Sequence, residues 1–324
     1  MVNPFPHDPK CLVVQPIHAA GLAQLVAQGI TPVICPAPDM ETVARHVPGC
    51  VAAITRDAGF DARAFAAADS LRVLVVHGAG HDPVDKQAAA RAGVLVANTP
   101  GTNARSVAEM ALGLAIAVAR RIPAADASLR GGQTGFRDSA RFHELSGGTA
   151  LVVGWGATGS ALGAMLHHGL GMKVLAHSPR PPTEGWALHA PDLHAALAKA
   201  DLVSLHAPLG PQTRDLMDGA AFAAIKPGAI LINMARAGLV DEQALLAALA
   251  SGRLAGAGLD VASGQAPLGP LSRFGNVIFT PHLGGTTEAA LRRTAEAAAQ
   301  HVITALSGKM PPTAINPLVW SAKA

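Results

Sequence analysis

The stretch ALVVGWGATGSALGAML, residues 150–166, decides the architecture. Ala150 to Val153 form an apolar run of strand length that leads straight into Gly154-Trp155-Gly156-Ala157-Thr158-Gly159, and an Ala/Leu helical pattern follows. Strand, G-x-G-x-x-G and helix, in that order, make the turn that receives a dinucleotide pyrophosphate. Gly154 permits the tight turn, Gly156 lets the backbone approach the phosphates, and Gly159 lets helix and strand pack closely. The helix N-terminus then faces the anion with unpaired N–H groups. In a chain with 34 glycines the motif alone is weak; the strand before it and the helix after it carry the reading.

The next strand ends in VLAHSPR, residues 174–180. An NAD-preferring turn usually has Asp or Glu here to accept from the ribose hydroxyls. Ser178 stands in its place, with Arg180 two residues on. A carboxylate repels a 2′-phosphate, whereas a hydroxyl and a guanidinium can bind one. The cofactor expected is therefore NADP in preference to NAD.

Outward from this turn, short apolar runs alternate with helical patterns. Before it, strands are expected at 11–14, 32–35, 51–55, 73–76 and 94–97, with helices such as 18–28 and 84–92 between them. A long helical pattern then runs from 104 to about 122. The alternation restarts at 150–153 and continues through 173–176, 202–205, 229–232, 256–259 and 277–279, and a last helix covers about 286–306. Two such series imply an α/β chain with two doubly wound parallel sheets, whose ligands bind at the carboxyl ends of the strands.

Composition narrows the class further. Half the residues are hydrophobic, 15% are charged, and the formal net charge is +3, with basic residues scattered singly or in pairs such as Arg120-Arg121. Nucleic-acid readers concentrate their positive charge, so no such partner is expected. Cys11, Cys35 and Cys50 are odd in number and lack CxxC spacing, which suits a reducing cytoplasm and argues against a disulfide framework or a metal. Residues 1–10 hold Asp8 and several prolines but no apolar stretch, so no signal peptide is expected. Residues 147–172 lack Asp, Glu, Lys and Arg, yet their glycines and the pair His167-His168 suit a buried strand, turn and helix better than a membrane span.

Five segments, VLVANTPGTNARSVAE (94–109), DLVSLHAPL (201–209), IKPGAILINMARAGLVDE (225–242), GLDV (258–261) and NVIFTPHLGG (276–285), carry a resemblance that extends over nearly the whole chain. It resembles the D-isomer-specific 2-hydroxyacid dehydrogenases, the family of phosphoglycerate dehydrogenase and the glyoxylate/hydroxypyruvate reductases. The resemblance implies a flavodoxin-like substrate domain, 1–103 with 286–324, into which a Rossmann nucleotide domain, 104–285, is inserted. It implies hydride exchange between NAD(P)H and a small 2-keto or 2-hydroxy acid, and a homodimer. Arg236 matches the clamp on the substrate carboxylate, and His282 matches the general acid/base. The loop His77-Gly78-Ala79-Gly80 matches the family's substrate loop, and Arg56 is a candidate for a second anionic group on the substrate. His206, Ala207, Pro208, Met234, Ala235 and Gly284 would line the cofactor, with Asp260 near the nicotinamide.

One departure matters for the chemistry. Five residues after Asp260 the family has Glu, which pairs with the histidine; here stands Gln265. Glutamine can hydrogen-bond an imidazole but brings no charge to its protonated form. Formate dehydrogenases of the same superfamily carry glutamine there and transfer hydride without a proton, but this chain lacks their long N-terminal extension. Corepressor-like relatives that sense nucleotide are a second alternative. Joint retention of Arg236, Asp260 and His282 favours chemistry, since a sensor needs only the cofactor contacts. Lesser departures are Thr158, where relatives usually have a branched apolar residue, and Ala237, where glycine usually follows the arginine.

Overall fold

A computed structural model describes residues 8–262 and 269–321. The chain divides into two compact units, Met1–Asn103 with Thr286–Ala324, and Ala104–Gly285.

The first unit carries β1 (Lys10–Val13), β2 (Thr31–Ile34), β3 (Ala52–Thr55), β4 (Val73–Val76) and β5 (Leu95–Asn98), all parallel, in the order β2-β1-β3-β4-β5. This is the flavodoxin-like order. Its helices are α1 (Ala19–Ala27), α2 (Met40–His46), α3 (Ala62–Ala67) and α4 (Lys86–Arg91), joined late in the chain by the two helices described last. The apolar run of β4 shows why alternation is missing from these strands. Val73 and Val75 pack with Leu25, Ala298 and Val302 on one face, while Leu74 and Val76 pack with Val43 and Phe65 on the other. Both faces are covered, so every position is apolar.

The second unit opens with α5 (Ala104–Ala119), α6 (Ile122–Arg130) and α7 (Phe136–Ser139). Its sheet comprises β6 (Thr149–Val153), β7 (Lys173–His177), β8 (Ala187–His189), β9 (Leu202–Leu205), β10 (Ala229–Asn233), β11 (Leu254–Leu259) and β12 (Val277–Phe279). All seven are parallel, in the order β12-β11-β10-β9-β6-β7-β8. This is the Rossmann order with a further strand at β12, and its switch point lies between β6 and β9. Helices α5 and α8 (Ala157–Leu170) cover one face; α9 (Leu193–Leu197), α10 (Gly219–Ala224) and α11 (Glu242–Ala250) cover the other. The chain then returns to the first unit with α12 (Glu288–Leu306), which packs on α1, β3 and β4, and α13 (Leu318–Ser321).

Two features depart from the sequence expectation. The helix expected to run to about 122 stops at Ala119, because Arg121 takes a left-handed conformation (φ 51°) and Pro123 sits in the first turn of α6. Edge strand β8 went unforeseen, since Ala-Leu-His has no β-branched residue to announce it. The charge-poor stretch 147–172 is the buried β6–turn–α8 unit, and no helix among the described residues is long and apolar enough to cross a membrane.

The far edge of β5 is covered by the chain's own tail. Ile315 N donates to Val96 O at 2.8 Å, and the Asn316 amide accepts from Val96 N at 2.7 Å and donates to Val94 O at 3.0 Å. Asn316 thus acts as a strand partner built from one side chain. Replacing it with alanine removes two bonds and leaves backbone groups of β5 unpaired, so Asn316→Ala should lower stability by about 1–3 kcal/mol in urea unfolding. An unchanged midpoint and slope would show that water or neighbouring chain replaces the amide.

Candidate functional site

At the switch point of the second unit the glycine turn has the form its sequence implied. Gly154 has φ +98°, and a Cβ there would lie 2.5 Å from Ala207 N and 2.6 Å from His206 C. A Cβ on Gly159 would come 2.0 Å from Gly154 O. Protein packing alone therefore requires these two glycines. Gly156 differs: it is exposed, a Cβ there would meet nothing within 4 Å, and it caps α8 without a side-chain hydrogen bond. The uncapped N–H groups of a 14-residue helix and the open space above Gly156 are what a pyrophosphate needs, so these residues fit a dinucleotide. Ala157 and Thr158 form the first turn of α8.

His206 backs this turn from the end of β9, its N–H donating to Val153 O at 2.7 Å. Its ring is bonded to Ser204 Oγ at 2.8 Å, and burial pushes its pKa down to about 4, so the imidazole is neutral. Ala207 is buried and Pro208 exposed beside it. On the other side of β6, the Ser178 hydroxyl donates to Arg180 O in its own loop, so its hydrogen is committed. Ser178 can accept from a ribose hydroxyl, and the donor available for a 2′-phosphate is exposed Arg180.

Arg236 and His282 leave the carboxyl ends of β10 and β12, the two strands that flank β11. Each is positioned by a buried polar side chain. Asn233, 1% exposed, accepts from Ala235 N at 3.0 Å and donates to Arg236 O at 2.9 Å, folding the 233–236 turn onto itself. The Arg236 guanidinium, partly exposed, also donates to Ala235 O at 2.7 Å. Asp260, 1% exposed at the end of β11, accepts from Thr280 Oγ1 at 2.6 Å, Leu283 N at 2.7 Å and Gly284 N at 2.9 Å. His282 lies inside that loop of bonds and is exposed, with φ 55°. Its own N–H donates to Asp260 O and Thr280 O, both at 2.9 Å. A left-handed histidine costs on the order of 1 kcal/mol, and the Asp260 carboxylate overrides that cost. Gly284 is tightly enclosed: a Cβ would lie 2.8 Å from Met234 Cε and 3.0 Å from Asp260 Oδ2.

The second unit thus brings together 206–208, 233–236, Asp260 and 280–284 at the carboxyl ends of four neighbouring strands, β9 to β12. Asn233 and Thr280 were not foreseen. Their signal was a polar residue at the close of an apolar strand, where buried turns need internal partners. Gln265 lies outside the described residues.

In the first unit, His77-Gly78-Ala79-Gly80 follows β4. Gly78 N donates to Thr99 Oγ1 at 2.8 Å and Asn98 Nδ2 holds Ala79 O at 2.7 Å, so the loop is fixed and the Gly78 N–H is already engaged. Ala79 N and Gly80 N have no acceptor among the described residues. Arg56 sits past β3, its Nη1 donating to Pro16 O at 3.0 Å, while Gln15 Oε1 accepts from Arg56 N and Ala58 N. His77 is buried, and burial, reinforced by the charge of Arg56, pushes its pKa down to about 4.

His77 and His206 make stability pH-dependent. Burial holds both at about 4 in the folded chain, below the 6.5 of an ordinary histidine, so the unfolded chain takes up protons that the folded one refuses. Their contribution is fully present above about pH 6.5 and is lost as pH falls toward about 4. His77→Asn removes one of the two groups, and its unfolding free energy should fall less steeply over that window than the wild type's. Equal slopes in urea titrations would show that His77 is not buried neutral.

Comparison with known proteins bears on the family. A family model described as the D-isomer specific 2-hydroxyacid dehydrogenase NAD-binding domain matches residues 112–284. The chain is 40% identical over 284 residues to the D-3-phosphoglycerate dehydrogenase of Mycobacterium bovis, covering 86% of this chain and 53% of that protein. It therefore spans about half the length of that relative. It is 37% identical over 231 residues to the hydroxypyruvate reductase of Thermotoga maritima, covering 70% of this chain and 75% of that one. Among solved structures, an NADPH-dependent glyoxylate/hydroxypyruvate reductase from Sinorhizobium meliloti superposes with a TM-score of 0.83 at 26% identity, covering 95% and 97% of the two chains. The chain belongs to the D-isomer-specific 2-hydroxyacid dehydrogenases, and its second unit contains their Rossmann-type NAD-binding domain.

Proposed function

We propose that this chain reduces small 2-keto acids to 2-hydroxy acids with a nicotinamide cofactor, and catalyses the reverse oxidation. The observation that carries this is the placement of Arg236 and His282 at the carboxyl ends of the two strands that flank β11, each next to a turn fixed by a buried polar side chain. The first unit would be the substrate domain and Ala104–Gly285 the dinucleotide domain.

In this reading the cofactor supplies the hydride, and the chain supplies grip, polarisation and a proton. The Arg236 guanidinium holds the substrate carboxylate and draws charge onto the adjacent carbonyl oxygen, a two-point contact that a lysine cannot make. His282 gives a proton to that oxygen as hydride reaches the carbon, and takes it back in the oxidation. Gln265 would hydrogen-bond this histidine without adding charge. We assign the N–H groups of Ala79 and Gly80 to the carboxylate, and Arg56 to a second anionic group where the substrate has one. Gly78 shapes their loop.

Arg180 supports NADP over NAD, since no carboxylate stands at Ser178 to repel a 2′-phosphate. A homodimer through the second unit is supported by Ile116, Ile122, Leu129 and Phe142, large apolar side chains exposed on or beside α5–α7. Three free, buried cysteines suit a reducing cytoplasm.

The test is a panel of small 2-keto acids, glyoxylate and hydroxypyruvate among them, assayed with NADPH and NADH. Turnover is expected, and Arg236→Lys should keep its fold and cofactor affinity while losing at least about a hundredfold in kcat/KM. No turnover with any acid, despite cofactor binding, would favour the nucleotide-sensing alternative. Near-normal Arg236→Lys turnover would move the substrate elsewhere.

A further inference from the structure

The proposed phosphate turn contains a residue that glycine spacing does not explain. Trp155, between Gly154 and Gly156, sends its indole down the side of α8. There a Cβ on Gly163 would lie 2.4 Å from Trp155 Cη2, so Gly163 forms the slot the ring occupies. At the slot the indole Nε1 donates to Glu184 Oε2 at 3.0 Å, and the same oxygen accepts from Thr183 N at 3.0 Å. The backbone N–H of Glu184 itself, and after it these donors, hold the Glu184 carboxyl below the usual carboxylate range. Trp155 also meets Trp186 edge-on at 5.8 Å, and Trp186 stacks on His167 at 5.1 Å.

Glu184 belongs to the segment that carries Ser178 and Arg180. This segment, SPRPPTEGW (178–186), descends from the end of β7 to the start of β8. Its upper end is tied by the Ser178 hydroxyl to Arg180 O and by His189 Nε2 to Ser178 O at 3.0 Å. Its lower end is tied to Trp155. Between the ties stand Pro181 and Pro182, whose φ is fixed by the ring. A stiff strut therefore joins the residue that meets Trp155 to the arginine assigned to the ribose.

We propose that Trp155 and Glu184 are a positioning pair that locks the ribose-reading segment to the phosphate turn, and that they set NADPH/NADH discrimination by fixing Arg180. This rests on the dinucleotide reading above. The pair is placed to act through Arg180 on cofactor selectivity, so its effect is read as the NADPH/NADH ratio and not as the rate with either cofactor alone.

The experiment measures the ratio of kcat/KM for NADPH to that for NADH. It compares wild type, Arg180→Ala, Trp155→Phe, Glu184→Ala, Glu184→Gln and the double variant Trp155→Phe/Arg180→Ala. Trp155→Phe keeps the ring in its slot and loses only the N–H; Glu184→Gln keeps the acceptor. Trp155→Phe and Glu184→Ala should each lower the ratio on the order of threefold to tenfold, the scale of one hydrogen bond, and Glu184→Gln should restore most of it. The double variant should be no worse than Arg180→Ala alone. If Arg180→Ala lowers the ratio but Trp155→Phe and Glu184→Ala do not, the latch is wrong and the ribose reading stands. Additive losses in the double variant also overturn the latch. If Arg180→Ala leaves the ratio unchanged, the ribose reading fails and the latch fails with it. Unfolding midpoints of each variant check that the fold is kept, and Trp155→Phe decides the matter should Glu184→Ala not fold.

Discussion

A single buried carboxylate holds the candidate site together. Asp260, at the end of β11, accepts from one hydroxyl and two backbone N–H groups, all within the segment 280–284. An ionised group removed from water would be costly without partners; here three donors replace its hydration. The carboxylate thereby draws the chain after β12 into a tight hook, with His282 within the bonded segment and exposed, in a backbone conformation it would not otherwise keep. Asn233 does the same for Arg236 one strand away, on a smaller scale. The sheet register makes the two devices cooperate, since Asn233 pairs directly with Leu259, the residue before Asp260. Rigid strands thus carry the precision, and short hydrogen-bonded turns present the Arg236 and His282 side chains.

The two switch points show different solutions to the same topological opening. In the second unit the crevice between β6 and β9 is lined by backbone, with Gly154 pressed against Ala207 and Gly156 left open, so an anion can meet N–H groups directly. In the first unit the opening between β1 and β3 is filled by the Gln15 side chain, which satisfies Arg56 N and Ala58 N. The Gln15 side chain holds the Arg56 turn in shape, and the loop after β4 presents the N–H groups of exposed Ala79 and Gly80. Two sheets of similar winding therefore offer different chemistry at their carboxyl ends.

Most of this architecture was legible because the strands are buried on both faces. Val73–Val76 and Leu202–Leu205 read as strands from their apolar runs, and their boundaries agree with the structure. What stayed hidden depended on contacts distant in sequence or on single backbone angles. β8 is a strand because Val174 to Ala176 offer it an edge, not because its residues favour extension. The end of α5 hangs on the left-handed Arg121, which the helical periodicity around it does not betray. At the site, glycine spacing and the TPH motif pointed to segments that the structure places at the carboxyl ends of the strands, but the anchoring roles of Asn233 and Thr280 appear only when β10, β11 and β12 lie side by side. Trp155 and Glu184 are 29 residues apart and nothing in either motif joins them.

The central claim is that the hook built on Asp260 presents His282 for proton transfer, and the isosteric change Asp260→Asn tests it most directly. An amide cannot accept from all three donors; its NH2 would face a backbone N–H and leave at least one buried donor unpaired. Single-turnover reduction of glyoxylate by the preformed complex with reduced cofactor isolates the chemical step. The account predicts a fall of at least about a hundredfold in that rate, the scale of losing a preorganised group, with cofactor affinity within a few-fold of wild type. A single-turnover rate close to wild type in folded Asp260→Asn would contradict it, and the position of His282 would then owe nothing to the buried carboxylate.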